Sequence, residues 1–362
     1  MDDRETLRSV VSAMLEAQAG SARDEAARQG WSAGLWRLLE ESGLTLVSVP
    51  ESAGGSGGDL RDLATVVQAC GYGAAPVPLV ETALLAGWGL ASAGITVPSG
   101  PLTVACPAAA STTLVPDGPG HRLVGRVCGV PWARAARRIL VLAAAPGQPG
   151  RTVHAVIDPR DCEIEPGTNL AGEPRDTLVL PSRGVDCRPL PAGAGPDPSR
   201  MALRGALGRA LLMVGSLRRV LDLTVRYAGE REQFGRPISR FQAVQQQIAA
   251  FAGAVEQARA ITDLAVETLQ QDDRAAEVVM AAKICAGHAA SVAIAVGHQV
   301  HGAIGFTTEH ELHLHTRRLM SWRDEDGSES EWSAELGARI AGSGPGGLWD
   351  LLTGRPSRVA TR

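Results

Sequence analysis

The chain of 362 residues lacks the features that mark several protein classes. Its six cysteines include no Cys-x-x-Cys pair, so neither a zinc site nor a disulfide framework is expected. Lysine is almost absent: Lys283 is the only one, and arginine occupies every other basic position. The formal charge of −4 offers no broadly basic surface, which argues against a nucleic-acid binder.

Long apolar runs are also missing. No uninterrupted run reaches about 18 residues, the length of a membrane-spanning helix, so no membrane span is expected. Residues 1–4 are acidic and charged rather than apolar, unlike the start of a signal peptide. These features predict a cytoplasmic protein. With 44% hydrophobic and 20% charged residues, the chain has the composition of a packed protein, and its length predicts two or three domains.

Three blocks of the sequence differ in their hydrophobic period and predict an α+β fold. Residues 1–100 carry apolar residues at helical spacing and predict an N-terminal helical domain. Residues 101–197 contain short Val, Ile and Leu runs separated by Pro and Gly, which predict a small antiparallel sheet of six or seven strands. Residues 198–342 predict an antiparallel four-helix bundle, and residues 343–362 predict a loosely held tail.

Two segments near the ends of predicted helices carry most of the information. Residues 227–242, YAGEREQFGRPISRFQ, break one helical pattern and start the next. On residue types alone they form either a charged helix hairpin or a diphosphate anchor, because the planar fork of arginine matches phosphate oxygens. The second segment, QVHGAIGFTTE at residues 299–309, follows about 70 residues later.

These segments resemble two motifs of the acyl-CoA dehydrogenase family: its flavin-binding signature and its Gln-x-x-Gly-Gly-x-Gly-Phe-x-x-Glu segment. The order of helical, β and helical blocks also resembles that family. The resemblance implies a FAD-dependent enzyme of lipid metabolism that oxidises the α–β bond of an acyl thioester. The thioester carrier is either CoA or a carrier protein, and an electron-transfer acceptor is implied as a partner.

The resemblance also implies which residues contact FAD. The seven matched positions are Arg231, Phe234, Phe241, Gln242, Gln299, Gly302 and Ala303. The first four match the diphosphate and adenosine side, and the last three match a stretch that reaches the FAD of a neighbouring subunit. We therefore expect a homo- or hetero-tetramer in which positions 231 and 299 of two different chains hold one FAD. Ala303 replaces a glycine of the family, so its methyl group is expected to crowd the cofactor.

In the family a carboxylate removes the α proton, and the matching position here is Asp326. Aspartate is shorter than the usual glutamate by about 1.5 Å, a displacement large enough to slow catalysis by orders of magnitude. Some members place the base on the first long bundle helix, where this chain has Gly205. Glu325, Glu329 and Glu331 are alternatives if the loop shifts in register, and a solvated acidic loop is the non-catalytic interpretation.

Other family features are missing. The loop that covers flavin and thioester has the sequence ACPAAAST at residues 105–112, without the usual acid or glycine. The arginine expected on the first bundle helix falls at Ala206, with Arg204 and Arg209 out of register. In this respect the chain resembles actinobacterial heteromeric members that act on steroid or other bulky acyl-CoA substrates. It is predicted to be one subunit of a heterotetrameric dehydrogenase, and the alternatives are a catalytically degenerate partner or a flavin oxidase or monooxygenase.

Histidines cluster near the end of the predicted bundle. His310, His313 and His315 lack a compact set of further ligands, so a solvated helix face is favoured over a metal site. His298 and His301 lie beside Gln299 and are expected to line the cofactor or an interface.

Overall fold

The structure is a computed structural model of one chain, and it describes residues 3–106, 112–117, 120–144, 152–181, 183–189, 198–271 and 275–344. The N-terminal helices are α1 (Asp3–Gln29), α2 (Ala33–Glu41), α3 (Leu60–Tyr72) and a π-helical segment (Val80–Gly87) that continues as α4 (Trp88–Ser92). Helix α2 begins after Ser32, whose side chain accepts the backbone N–H of Leu35. It ends just before Gly43, which takes a φ of 71°.

A sheet occupies the middle of the chain. Its strands are β1 (Leu102–Ala105), β2 (Thr112–Asp117), β3 (Gly120–Pro131), β4 (Arg138–Ala144), β5 (Thr152–Ile157), β6 (Glu163–Glu165), β7 (Arg175–Val179) and β8 (Val185–Pro189). Their order is β1-β4-β5-β8-β3-β7-β6, with β2 paired to β3. One pair departs from the predicted antiparallel pattern, because β1 and β4 run parallel. Through its pairing with β8 and then β5, β3 runs opposite to β4, so the chain reverses after β3 and β4 runs in the direction of β1.

The C-terminal block is the predicted bundle with one further helix. Its elements are α5 (Pro198–Glu230), a hairpin of β9 (Glu232–Gln233) and β10 (Arg236–Pro237), α6 (Gln242–Gln271), α7 (Ala276–His301), α8 (Leu312–Asp324) and α9 (Glu329–Gly342). Helix α3 crosses α5 at backbone contact, because a Cβ on Gly215 would collide with the carbonyl oxygen of Gln68. The predicted tail lies outside the described residues beyond position 344.

Three hydrophobic cores follow the three blocks. One joins the N-terminal helices to β1, β4 and the first half of α5, a second lies within the sheet, and a third fills the bundle around Phe251. The first half of α5 therefore borders both the N-terminal helices and the sheet. The limits of the blocks as independent domains stay a prediction.

Among the described residues, one segment is long and apolar enough to cross a membrane by length and composition alone. It covers Ala276–Phe306, which is α7 and the turn after it. Half of its most apolar window is buried inside the chain, where α7 packs in the bundle core. A core helix of a bundle has the same composition as a membrane span, so this feature does not distinguish the two.

Candidate active site and cofactor-binding surface

A cleft of about 850 Å³ opens where the three blocks meet. Its wall is built from the π-helical segment, the end of β1, the end of β3, the start of α5, α7, the loop between α8 and α9, and α9. Asp326, the predicted base, lies in that loop and lines the cleft.

The turn that presents Asp326 is tight and well anchored. Asp326 has a φ of 54° and Gly327 a φ of 92°, so two successive residues take left-handed conformations. Aspartate tolerates this region better than most residues with a side chain. The indole N–H of Trp332, on α9, donates to the Asp326 carbonyl oxygen at 2.9 Å. The position of the carboxylate is therefore fixed by the backbone rather than by a mobile loop.

The two positions proposed for a base meet at one point. A Cβ built on Gly205 would lie 2.6 Å from Oδ1 of Asp326. Glycine at position 205 thus leaves the space into which Asp326 projects, and a larger residue there would displace the carboxylate.

Arg209 lies one helical turn after Gly205 and is buried against this carboxylate. Its Nε is 2.9 Å from Oδ2 of Asp326 and 3.1 Å from Oε2 of Glu325, and its Nη2 is 2.7 Å from Oε1 of Glu81. Burial alone would lower the pKa of Arg209, but the three carboxylates outweigh it and hold that pKa well above its ordinary value. Asp326 is therefore an ion-paired acid.

The sequence analysis did not identify Glu81 as a residue of this site. It is only 2% exposed and is the single acid in an otherwise apolar segment, Val80–Gly87. An isolated acid in an apolar helix needs a buried partner, because an unpaired buried charge is costly. That signal was available in the sequence, although the identity of the partner was not.

Glu325 is held away from the reacting position by other groups. Its Oε1 accepts from Nε of Arg175 at 2.9 Å and from the side-chain amide of Asn169 at 2.9 Å. Burial alone would raise the pKa of Glu325, but Arg209 and Arg175 outweigh it and lower that pKa. Glu325 thus acts as a bridge between the sheet and α5.

The remaining two alternative acids also have structural partners. Arg323 binds Glu329 at 3.0 Å. Glu331 accepts the backbone N–H of Ser328 at 2.8 Å and completes the capping box that begins α9. These contacts leave Asp326 as the candidate base that faces Gly205, and they argue against a shift of the loop in register.

The opposite wall of the cleft carries Cys106 at the end of β1. Desolvation raises the pKa of its thiol to about 11, and the nearby Asp326 carboxylate adds to the shift. Residues 107–111, which complete the altered loop noted in the sequence, lie outside the described residues.

The matched flavin signature forms an exposed hairpin at the far end of α5. Arg231 is exposed beside it, and Phe234 is 92% exposed with a φ of 54°. The rings of Phe234 and Phe241 meet edge to face at 6.1 Å, while Gln242 begins α6 with its side chain exposed. Because an exposed aromatic pair is unfavourable in water, this surface has the character of a binding site.

The second motif ends α7. Gln299, Gly302 and Ala303 are all exposed. Gly302 has φ 62° and ψ −140°, a conformation open to glycine alone, and a Cβ there would meet nothing within 4 Å. Ala303 takes no left-handed conformation. The backbone therefore requires glycine at 302 and not at 303, and the open surface fits a cofactor that approaches the main chain.

Both motif segments lie at the same end of one bundle. The ring of Tyr227, near the end of α5, stacks on His301, at the end of α7, with centroids 4.6 Å apart. The sequence comparison with the family places positions 231 and 299 on two different chains around one FAD. Within a single chain, the ends of α5 and α7 that carry these two positions are in contact through Tyr227 and His301.

The histidines behind this surface are mostly buried. Burial lowers the pKa of His298, His301 and His310. His315 is only 2% exposed, and its Nδ1 lies 3.0 Å from the hydroxyl of Ser216. The prediction of a solvated helix face is therefore wrong for His315, because α8 turns that side chain toward α5. Among the described residues, no group of three or more His, Cys, Asp or Glu side chains is arranged to hold a metal.

The two candidate regions are far apart in one chain. Gly205 marks the cleft near the start of α5, and Arg231 follows it by 26 residues along that helix. At 1.5 Å per residue the separation is about 39 Å. A single dinucleotide is too short to reach from the hairpin to the cleft of the same chain.

Two family models and a curated relative match this chain. An acyl-CoA dehydrogenase N-terminal domain model matches residues 1–95, and an acyl-CoA dehydrogenase C-terminal domain model matches residues 201–339. The acyl-CoA dehydrogenase IpdE2 of Mycobacterium tuberculosis is 33% identical over 321 residues, covering 88% of this chain and 91% of the relative.

Solved structures share the fold. The ChsE4–ChsE5 complex from Mycobacterium tuberculosis superposes with a TM-score of 0.85 at 24% identity, over 94% of this chain and 98% of the matched chain. A Tcur3481–Tcur3483 steroid ACAD variant superposes with a TM-score of 0.83 at 26% identity and the same coverage.

Proposed function

This chain belongs to the acyl-CoA dehydrogenase family, whose members are FAD-binding flavoproteins, and from that premise we propose that it takes part in the α,β-dehydrogenation of an acyl thioester as one subunit of a hetero-oligomer. One observation carries the proposal: the flavin signature at Arg231 and the acid at Asp326 lie at opposite ends of α5. Each chain then supplies FAD contacts to a neighbour's cleft. The ChsE4–ChsE5 complex pairs two different chains, which supports the proposal of a second kind of subunit beside this chain.

In this proposal the surface at the end of the bundle binds the cofactor. The guanidinium of Arg231 pairs with the diphosphate, and Phe234 and Phe241 cover the adenosine side. Phe241 already lies under the guanidinium of Arg236, at 4.3 Å, so the ring is held in place before a ligand arrives. Gln299 and the backbone at Gly302 supply the remaining contacts, and we place the assembly in the cytoplasm.

The cleft binds the thioester and removes the α proton. The acyl group lies between the end of β1 and the start of α5, and the carboxylate of Asp326 accepts the proton from the α carbon as the C=C bond forms. When bound, FAD supplies the acceptor for the hydride from the β carbon, and an electron-transfer partner removes both electrons afterwards. The apolar walls formed by Val104, Val127 and Met280 exclude water from the reacting carbons.

A second candidate function is favoured by the ion pair between Arg209 and Asp326. A carboxylate that accepts the α proton must lose its negative charge, and that leaves the buried Arg209 with fewer counter-ions. In this candidate the cleft of this chain is catalytically degenerate. The chain then completes the FAD site of a partner whose own cleft does the chemistry.

One experiment separates the two candidates. The chain is purified alone and together with a second acyl-CoA dehydrogenase-like subunit, and flavin absorbance and turnover are measured for wild type and for Asp326→Asn. If Asp326 is the base, the variant keeps its flavin and loses turnover. If the chain is a degenerate partner, Asp326→Asn changes neither flavin content nor turnover of the complex. A flavin-free complex that also lacks activity would reject both.

A further inference from the structure

The only lysine of the chain is buried beside the candidate base. Lys283 lies in the first half of α7 and is 0% exposed. Its Nζ donates to the carbonyl oxygen of Arg323 at 2.7 Å and to that of Gly327 at 2.7 Å. Arg323 belongs to the last turn of α8, and Gly327 directly follows Asp326, so one ammonium group spans the turn that carries the candidate base.

The chemistry of the site suits lysine and not arginine. The ammonium is a compact charge whose three donors can be directed at separate carbonyl oxygens, whereas guanidinium is a wider, planar fork. The last carbonyls of a helix lack partners within the helix and lie at the negative end of its dipole, so a cation stabilises them. Every other basic position of this chain is arginine, which makes the single exception informative.

The charge of Lys283 is unfavourable for folding on its own. Burial of the ammonium lowers the pKa of Lys283 to about 8, although the carboxylate of Asp326 partly offsets that effect. The other charges that act on the amine are Arg209, which also lowers the pKa, and Glu329 and Asp324, which raise it. A cation whose charged form is less favourable in the fold than in water opposes folding at neutral pH. The two hydrogen bonds of the ammonium to the carbonyl oxygens of Arg323 and Gly327 offset that cost at the turn.

We propose that Lys283 is a positioning residue for the reaction: it ties the end of α8 to Gly327 and so holds the left-handed turn in which Asp326 faces Gly205. Arg209 forms ion pairs with the side chains of this turn, and Lys283 donates a hydrogen bond to its backbone. The proposal rests on the proposed function, because it takes Asp326 as the group to be placed.

The turn carries its own reporter. The indole N–H of Trp332 donates to the carbonyl oxygen of Asp326 but makes no hydrogen bond to Lys283 in the described structure. Its ¹⁵N-indole resonance, assigned with Trp332→Phe, therefore follows the position of the turn. We compare the full-length wild type with Lys283→Met and Lys283→Arg, and we use Cys285→Ala on the same helix as the matched control.

We expect the indole resonance to shift in both Lys283 variants and to stay in place in Cys285→Ala. An unshifted resonance in Lys283→Met would overturn the proposal. Full restoration by Lys283→Arg would overturn the claim that a compact ammonium is required. The NMR comparison needs neither flavin nor substrate. Failure of the wild type to bind flavin would therefore reject the proposed function without affecting the test of Lys283.

A second measurement keeps Lys283 unchanged, so it tests the proposal even if the Lys283 variants do not fold. Growth with ¹³Cε-lysine gives one lysine resonance, since the chain has one lysine. We expect its titration midpoint near pH 8 in wild type and a lower midpoint in Asp326→Asn, because the lost carboxylate no longer stabilises the ammonium. A midpoint at the ordinary value of about 10.5, unchanged by Asp326→Asn, would overturn the proposal.

Discussion

At the scale of single residues, Gly205 and Asp326 compete for the same space. A Cβ at position 205 would lie 2.6 Å from Oδ1 of Asp326, so Gly205→Ala is expected to destabilise the chain by about 1–3 kcal/mol through overpacking. Asp326→Ala removes the clashing atoms and should relieve most of that cost. A urea-unfolding double-mutant cycle measures the coupling. Strictly additive single and double variants would contradict the packing described above.

Arg209 supplies a second test at this scale. Arg209→Met leaves Glu81, which is 2% exposed, without its counter-ion, and the variant is expected to lose about 3–5 kcal/mol of unfolding free energy. The matched control is Arg339→Met on α9, whose half-exposed pairs with Glu335 and Glu277 are worth about 1 kcal/mol or less. Equal losses of unfolding free energy in Arg209→Met and Arg339→Met would contradict the larger contribution assigned to the buried ion pair.

The contact between Arg209 and Glu81 also shows what sequence reasoning does not reach. The two residues are 128 positions apart, and their helices pack through faces that look apolar in the sequence. A hydrophobic period identifies the buried face of each helix, but it does not say which faces meet. Asp326 was predicted because its motif has a fixed spacing from Gly305. Arg209, the buried cation that pairs with Asp326, belongs to no motif of fixed spacing. The sequence therefore identified it only as an arginine close to the position expected in the family.

At the scale of elements, the end of α7 and the start of α8 should respond to acid. Burial lowers the pKa of His301 and His310, and it lowers that of His315 well below the ordinary value. Below about pH 6.5 the unfolded chain therefore binds more protons than the folded chain, so stability falls as pH falls.

The urea midpoint at pH 7.5 and pH 5.5 measures this effect. His301→Gln should reduce the difference between the two midpoints, and His288→Gln, at an exposed position of α7, should leave it unchanged. A chain as stable at pH 5.5 as at pH 7.5 would contradict the assignment of these imidazoles as buried and neutral.

Helices and strands were predicted from the sequence more completely than the contacts between them. Apolar spacing predicted the helical N-terminal block and the long helices of the bundle, because a long helix with one buried face repeats its apolar residues over many turns. The parallel pairing of β1 with β4 was not predicted, since short apolar runs identify strands without giving their direction. The burial of His315 was missed for a related reason: three closely spaced histidines give no sign of which one faces α5.

At the scale of the whole molecule, α5 separates two functions along its length. Its start borders the cleft with Asp326, and its end carries the hairpin with Arg231 and the exposed Phe234. One FAD cannot reach both ends of the same helix, so under the proposed function a complete site takes two chains. In that proposal the need for a second chain follows from the length of α5.

Native mass spectrometry of the chain with added FAD, alone and with a second subunit of the same fold, tests this claim most directly. We predict that FAD is found in assemblies of two or more chains and is absent from the monomer. Phe234→Ser, which alters a 92% exposed side chain without touching the core, should reduce the flavin-loaded assembly and leave the monomer folded. A folded monomer carrying one tightly bound FAD would contradict the account.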